Sequence, residues 1–177
     1  MRDNNEDDEI ERAITFLVNS FETSGDNPKP VVLHSIRVAM DLYNRGYDSQ
    51  IIIAALLHDL LEDTAVTKQE IQATFGTEVA GIVEATSFDT RIETERERYR
   101  DTFGRCFDVG RPAVIVKAAD ILDNSHYYHL AETAELQTIL LDKMGYFIEK
   151  AEPFLQDEPL YFELREAFSR VKRRMVA

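Results

Sequence analysis

Residues 51–64 read IIIAALLHDLLEDT, and how that stretch is read decides the fold. An unbroken apolar run, Ile51–Leu57, meets His58-Asp59; two leucines follow, and then Glu62-Asp63. The run is far too short to cross a bilayer, which takes about 20 residues. A helix that is apolar nearly all round belongs inside a shell of other helices, with Asp48 or Ser49 as its cap. If the helix continues through the motif, His58 and Glu62 lie one turn apart, as do Asp59 and Asp63. Two rows of polar atoms then leave one side near its C-terminal end. Carboxylates there face the negative pole of the helix dipole, and burying an unpaired carboxylate costs several kcal/mol. Something positive has to compensate.

Outward from this stretch the period stays helical. In EIERAITFLVNSF the apolar residues Ile10, Ala13, Ile14, Leu17, Val18 and Phe21 form a one-sided stripe. SGDNPKP is a turn-rich break, and Pro30 opens a helix that Gly46 ends. TKQEIQATFG starts with a capping box, Thr67 to Glu70, and stops at Gly76; TEVAGIVEATS is a further short helix. ETERERYRDTFGRCF is polar over its first half and suits a rim helix. RPAVIVKAADILDNSHYYHL is a second buried helix begun by Pro112, carrying His126, Tyr127, Tyr128 and His129 at its far end. Two more helices follow, broken near Pro153 to Pro159. The expected class is all-α, one compact helical domain over 1–177.

Composition narrows the function. A net charge of −13 argues against binding nucleic acid or an anionic membrane, since both need a basic footprint. An anionic small molecule remains open if the site supplies local positive charge. The single cysteine, Cys106, fits a reducing compartment and reads as a packing residue. The start, MRDNNEDDEIER, lacks the basic and apolar segments of a signal peptide. The expected location is the cytoplasm.

The polar anomaly of the central helix recurs twice. VIVKAADILDN sets Asp120 among apolar neighbours with Asn124 one turn on, and His34 sits inside PVVLHSIRVA. Taken singly, each has a plain explanation. A buried histidine can be a hydrogen-bonded core residue, Asp120 can pair with Lys117, and a terminal Glu-Asp can be solvated. Together, histidines and aspartates on three apolar helices make a mixed nitrogen and oxygen ligand set, and a divalent cation would neutralise both carboxylates. On this reading His58 and Asp59 hold a metal, and Glu62 and Asp63 stand beside it for chemistry.

The ordered pattern H…HDxxEDT…KxADxxxN, with TKQEIQATFGTEVAGIVEAT and ETERERYRDTF between, resembles the HD-domain metal-dependent phosphohydrolases. More narrowly, it resembles the hydrolase domain of RelA/SpoT proteins and their small animal homologues, from about Pro30 to Asn124 and more weakly to Ala151. The resemblance implies a helical HD bundle with metal ligation by His34, His58, Asp59 and Asp120, usually of Mn²⁺. The donor set would also accept Fe²⁺, Zn²⁺ or Ni²⁺. It implies that Glu62 and Asp63 position or activate the attacking water. It places Asn124, Lys117 and Tyr146 by the nucleotide, with Lys117 equally suited to structural pairing. Arg96, in the Glu95-Arg96 dipeptide, is the best candidate to offset phosphate charge. The implied reaction removes the 3′-pyrophosphate from guanosine tetra- or pentaphosphate.

The chain also departs from that family. A basic segment and a Pro-Tyr are expected before the first histidine, where SGDNPKPVV has only Lys29, and Val31 replaces tyrosine. Glu93 stands near an expected lysine and Asp142 near an expected arginine. These changes spare the metal pattern and thin the recognition of phosphate and base. Another phosphorylated nucleotide, such as a deoxynucleotide monophosphate or a dinucleoside polyphosphate, is therefore the main alternative. A non-catalytic nucleotide sensor is another, against which both Glu62 and Asp63 speak. Cyclic-dinucleotide phosphodiesterases need further histidines, and a purely structural role leaves the buried charges unexplained.

Overall fold

A computed structural model describes residues 4–22 and 30–176, and their regular structure is helical, as expected. The turn-rich break at 24–29, with Lys29, lies outside the described residues. The chain groups into two compact units, Met1–Phe88 and Asp89–Ala177, each built round one buried helix.

The first unit contains α1 (Asn4–Glu22), α2 (Val31–Asn44), α3 (Ser49–Leu57), α4 (Leu60–Asp63) and α5 (Lys68–Thr86). Helix α3 packs against α1, α2 and α5, so every residue from Ile51 to Leu57 is buried. Truncating a side chain such as Leu56 at a site like this costs about 2–5 kcal/mol. In α1 the buried line is Ile10, Ala13, Leu17 and Ser20, whereas Val18 is exposed. The stripe is narrower than the sequence suggests. Ser20 tolerates burial because its hydroxyl donates to the Phe16 carbonyl at 2.7 Å.

Local chemistry explains the helix ends. Gly46 (φ +82°) lets α2 close with the Tyr47 N–H on the Leu42 carbonyl at 3.2 Å and its own N–H on Tyr43 at 3.1 Å, a Schellman arrangement. The Thr67–Glu70 capping box forms at the start of α5, and Gly76 (φ +90°) puts the expected stop there as a kink between two helical segments.

One expectation is corrected at the motif itself. The buried helix does not run on through it: α3 stops at Leu57, His58-Asp59 form a turn, and α4 restarts at Leu60. The Glu62 N–H bonds the Asp59 carbonyl at 3.2 Å, while the His58 carbonyl accepts from the Ser87 hydroxyl at 3.1 Å. Asp59 therefore caps α4, with Glu62 and Asp63 in its first turn. Because α4 is a single four-residue turn, Glu62 and Asp63 are in its first turn and also at its end, so the helix dipole no longer decides their placement.

The second unit contains α6 (Glu95–Val109), α7 (Arg111–Ser125), a 3₁₀ turn (Tyr128–Leu130), α8 (Ala134–Leu155) and α9 (Pro159–Val176). Helix α7 packs against α6, α8 and α9, and its residues from Ala113 to Ile121 are all buried, Lys117 and Asp120 among them. It ends sooner than the sequence suggests. The His126 and Tyr127 N–H groups reach back to Asp123 and Asn124 at 3.3 and 3.0 Å, a tighter register that turns His126 and His129 off the Asp120 helix. Pro153 lies in the last turn of α8, and the break falls at 156–158. Cys106 is buried, and desolvation pushes its thiol up to about 12, as suits a packing residue. Among the described residues no helix is long and apolar enough to cross a membrane.

Candidate metal centre

The first unit brings His34, His58 and Asp59 together. Helix α2 leaves Leu33 exposed and turns His34 inward beside Ser35 and Val38. The His34 and His58 rings meet edge to face, centroids 5.2 Å apart, with ligand-capable nitrogens within 4.8 Å of each other. Between them lies the Asp59 carboxylate: Oδ1 is 3.2 Å from His58 Nε2 and Oδ2 is 3.9 Å from His34 Nε2. All of this is nearly out of solvent, with His58 at 0 % exposure.

The hydrogen bonds fix what His58 can do. Its Nδ1 lies 2.7 Å from the Ala55 carbonyl, one turn back in α3. A carbonyl only accepts, so Nδ1 carries the proton and the neutral ring presents its lone pair at Nε2. That lone pair faces a carboxylate oxygen. Two electron-pair donors held this close in a buried site require a cation, either a second proton or a metal ion. An imidazole anchored through its other nitrogen on a backbone carbonyl is how metal-ligating histidines are oriented. The nitrogen and oxygen donor set suits a divalent transition ion. The residues present fit a metal.

Glu62 and Asp63 sit one turn beyond, half-buried. Glu62 is held in place, since its Oε1 accepts the Phe88 N–H at 2.6 Å. Two hydroxyl residues support the motif: Ser87, which sequence reasoning missed, and Thr64, which closes the HDxxEDT pattern. Ser87 holds the His58 carbonyl, and the Thr64 hydroxyl donates to Leu60 at 2.7 Å while accepting the Val66 N–H at 3.1 Å. The signal of Ser87 in the sequence is only a hydroxyl residue just past a helical run.

In the second unit Asp120 lies inside α7, and its own helix supplies partners. Lys117 Nζ is 3.0 Å from Oδ2, and the Asn124 amide donates to Oδ1 at 2.5 Å. Lys117 is only 2 % exposed, so its ammonium orients Asp120 inside the core. Burial, with Asp120 and Glu95 as neighbouring charges, pushes the Tyr128 phenol well above its ordinary value. Elsewhere in this unit Arg96 and Asp142 form a half-exposed pair at 3.2 Å, and the Tyr99 hydroxyl donates to the same Asp142 oxygen at 2.5 Å. Burial first, and this carboxylate second, raises the Tyr99 pKa. Tyr146 packs against both Tyr99 and Phe103, with the Arg100 guanidinium 5.2 Å over its ring. Thus the acid at position 142 turns Arg96, the candidate phosphate contact, into one side of an ion pair.

Comparison with known proteins identifies relatives of the chain. The family model described as HD domain matches residues 13–142. The guanosine-3′,5′-bis(diphosphate) 3′-pyrophosphohydrolase of Aquifex aeolicus is 31% identical over 93% of this chain and 25% of its own length. The enzyme of the same name from Danio rerio is 38% identical over 54% of this chain and 53% of its own length. The chain thus spans between a quarter and about half of these relatives. The solved structure of a metazoan orthologue of SpoT superposes with a TM-score of 0.77 at 23% identity, covering 92% of this chain and 94% of that one. That likeness shows the fold.

Proposed function

Because the chain belongs to the HD-domain family, we propose that it is a metal-dependent phosphohydrolase that removes the 3′-pyrophosphate from guanosine tetra- or pentaphosphate. The observation that carries this reading is His58, anchored through Nδ1 on Ala55 with Nε2 turned toward Asp59, one turn from the fixed carboxylate of Glu62. The names of the Aquifex and Danio relatives support the substrate. His34, His58, Asp59 and Asp120 would hold the ion, Mn²⁺ by preference, with Asp120 as the second carboxylate that a divalent charge balances. Such an ion, when bound, lowers the pKa of a coordinated water and polarises a phosphoryl oxygen.

The chain's own residues do the rest. Glu62, held by the Phe88 N–H, orients the attacking water and takes its proton, with Asp63 sharing that proton as one coupled pair. Lys117 and Asn124 fix the rotamer of Asp120, and Asn124 also borders the nucleotide. Tyr146 offers an aromatic face, and Arg96 offsets phosphate charge. On this reading the chain is one HD-type domain over 1–177, with the water-activating acids in Met1–Phe88 and Asp120 in Asp89–Ala177. A nucleotide hydrolase of this kind, with its one reduced cysteine, belongs in the cytoplasm.

A second reading rests on a specific observation. The pairing of Arg96 with Asp142 weakens the positive field a tetraphosphate needs, which favours a less charged nucleotide such as a deoxynucleotide monophosphate. The test is hydrolysis of guanosine tetraphosphate and a nucleotide panel with Mn²⁺, scored for released pyrophosphate and phosphate, with Asp59→Ala and Glu62→Ala as controls. Release of pyrophosphate from guanosine tetraphosphate that both variants lose supports the first reading. Wild-type turnover of another nucleotide alone supports the second, and an active Asp59→Ala protein overturns the site.

A further inference from the structure

Positive charge is scarce in this acidic chain, yet Arg170, Lys172, Arg173 and Arg174 fall together in the last turns of α9. Two of the chain's four histidines, His126 and His129, lie across from them, where α7 gives way to the 3₁₀ turn. A cavity of about 100 Å³ separates the two groups; His126, His129, Arg170 and Arg174 wall it, and buried Ala167 and Val171 form its floor. Arg170 and Arg174 are one turn apart, so both guanidinium groups reach the same space. Arg170 is paired with Glu166, whose carboxylate stands 3.9 Å away with both side chains about half exposed or more, a weak competitor. Among the described residues no ion pair engages Arg174.

We propose that this cavity is a binding site for a phosphate-sized oxyanion, separate from the metal centre. Its volume matches about three water molecules, enough for one tetrahedral oxyanion and too little for a nucleoside. Guanidinium forks match such an ion in shape as well as charge. The carbonyl end of α7 borders the cavity and repels an anion, so the two arginines must supply the attraction. His129 and His126 close the other wall; with His126 Nδ1 on the Asp123 carbonyl at 3.1 Å, the rings border the cavity and report on its occupancy, and the attraction rests on the guanidinium groups. The shared ligand chemistry is a phosphoryl group with its oxygens free, either inorganic phosphate or the exposed end of a phosphate monoester.

Four histidines make the test selective. Ring signals of the full chain are followed by NMR while inorganic phosphate, and separately glycerol phosphate, is added at constant ionic strength. The signals of His126 and His129 are expected to move saturably, and the Arg170→Ala/Arg174→Ala double variant to weaken binding by about tenfold or more. Both substituted residues are exposed, so the variant is expected to fold, which circular dichroism checks. Equal response to the two probes assigns a monoester end, and response to inorganic phosphate alone assigns the free ion. Movement confined to His34 and His58, no saturation, or unchanged binding in the double variant overturns the site. None of these outcomes depends on whether the metal centre hydrolyses guanosine tetraphosphate.

Discussion

Asp59 and Asp120 are both buried aspartates, but their partners come from different places. Asp120 is met within α7 by Lys117 one turn before it and Asn124 one turn after it. Asp59 faces two imidazoles, one delivered by α2 and one by the end of α3. The first arrangement carries its own cation and survives as a piece of helix. The second is assembled by tertiary packing and brings lone pairs together, so it needs a cation from outside. Both look alike as an acid in an oily helix; Asp120 is held in position by its own helix, whereas Asp59 is set against two imidazoles only by folding.

The sharpest way to break this contrast is Asp59→Ala. Hydrolysis of guanosine tetraphosphate with Mn²⁺ is expected to fall by about 10³-fold or more, and bound metal, measured by elemental analysis, to fall with it. Retained activity would show that the imidazole–carboxylate cluster is structural. Glu62→Gln separates chemistry from binding, because the amide oxygen can still accept the Phe88 N–H. Turnover should drop about 10²- to 10⁴-fold while metal content stays near wild type.

On the other side of the comparison, Lys117→Met leaves Asp120 buried without its ammonium. Urea unfolding should show a loss of about 3–5 kcal/mol, much of it recovered in the Lys117→Met/Asp120→Asn double variant. A loss that the double variant fails to recover would mean that the pair is not the source of the effect. Asp142→Asn keeps an acceptor for Tyr99 and releases Arg96. Its stability should change by less than about 1 kcal/mol, as for exposed pairs generally, and KM for a tetraphosphate should fall.

Cys106 gives the smallest effect on function and a clear pH dependence. Its folded pKa is raised from 9.0 to about 12 by burial, so the unfolded chain loses the thiol proton first. Stability should therefore fall as pH rises between those values. At pH 8 the native thiol should react with iodoacetamide only as fast as the protein opens, while the unfolded chain reacts at once. Prompt labelling of the native protein would contradict its burial.

Much of the fold was legible because it is local. The all-round apolar character of Ile51–Leu57 identified the enclosed helix, the Thr67–Glu70 box its neighbour's start, and Gly46 and Gly76 two stops. The candidate ligands His34, His58 and Asp59 were legible as polar residues inside apolar helices, and the structure brings these three together. Other features left no local trace. The sequence read as one helix through HDLLED, but the His58 carbonyl turns to Ser87, far along the chain. No periodicity announces a partner that distant. The capture of Arg96 by Asp142 was hidden for the same reason, whereas α7 ends at Ser125 on local bonds that no glycine or proline marks.

The sequence alone determined which segments are helices, which faces are apolar, and which side chains would be costly to bury without compensation, since each depends on neighbours within a turn or two. Tertiary structure alone decided how that cost is offset. It broke the central helix at His58-Asp59, set Nδ1 of His58 on a carbonyl and Nε2 against an acid, and placed Glu62 under the Phe88 amide. Hydrogen-bond direction and charge proximity depend on atoms only a few ångströms apart, and folding brings those atoms together from distant points on the chain.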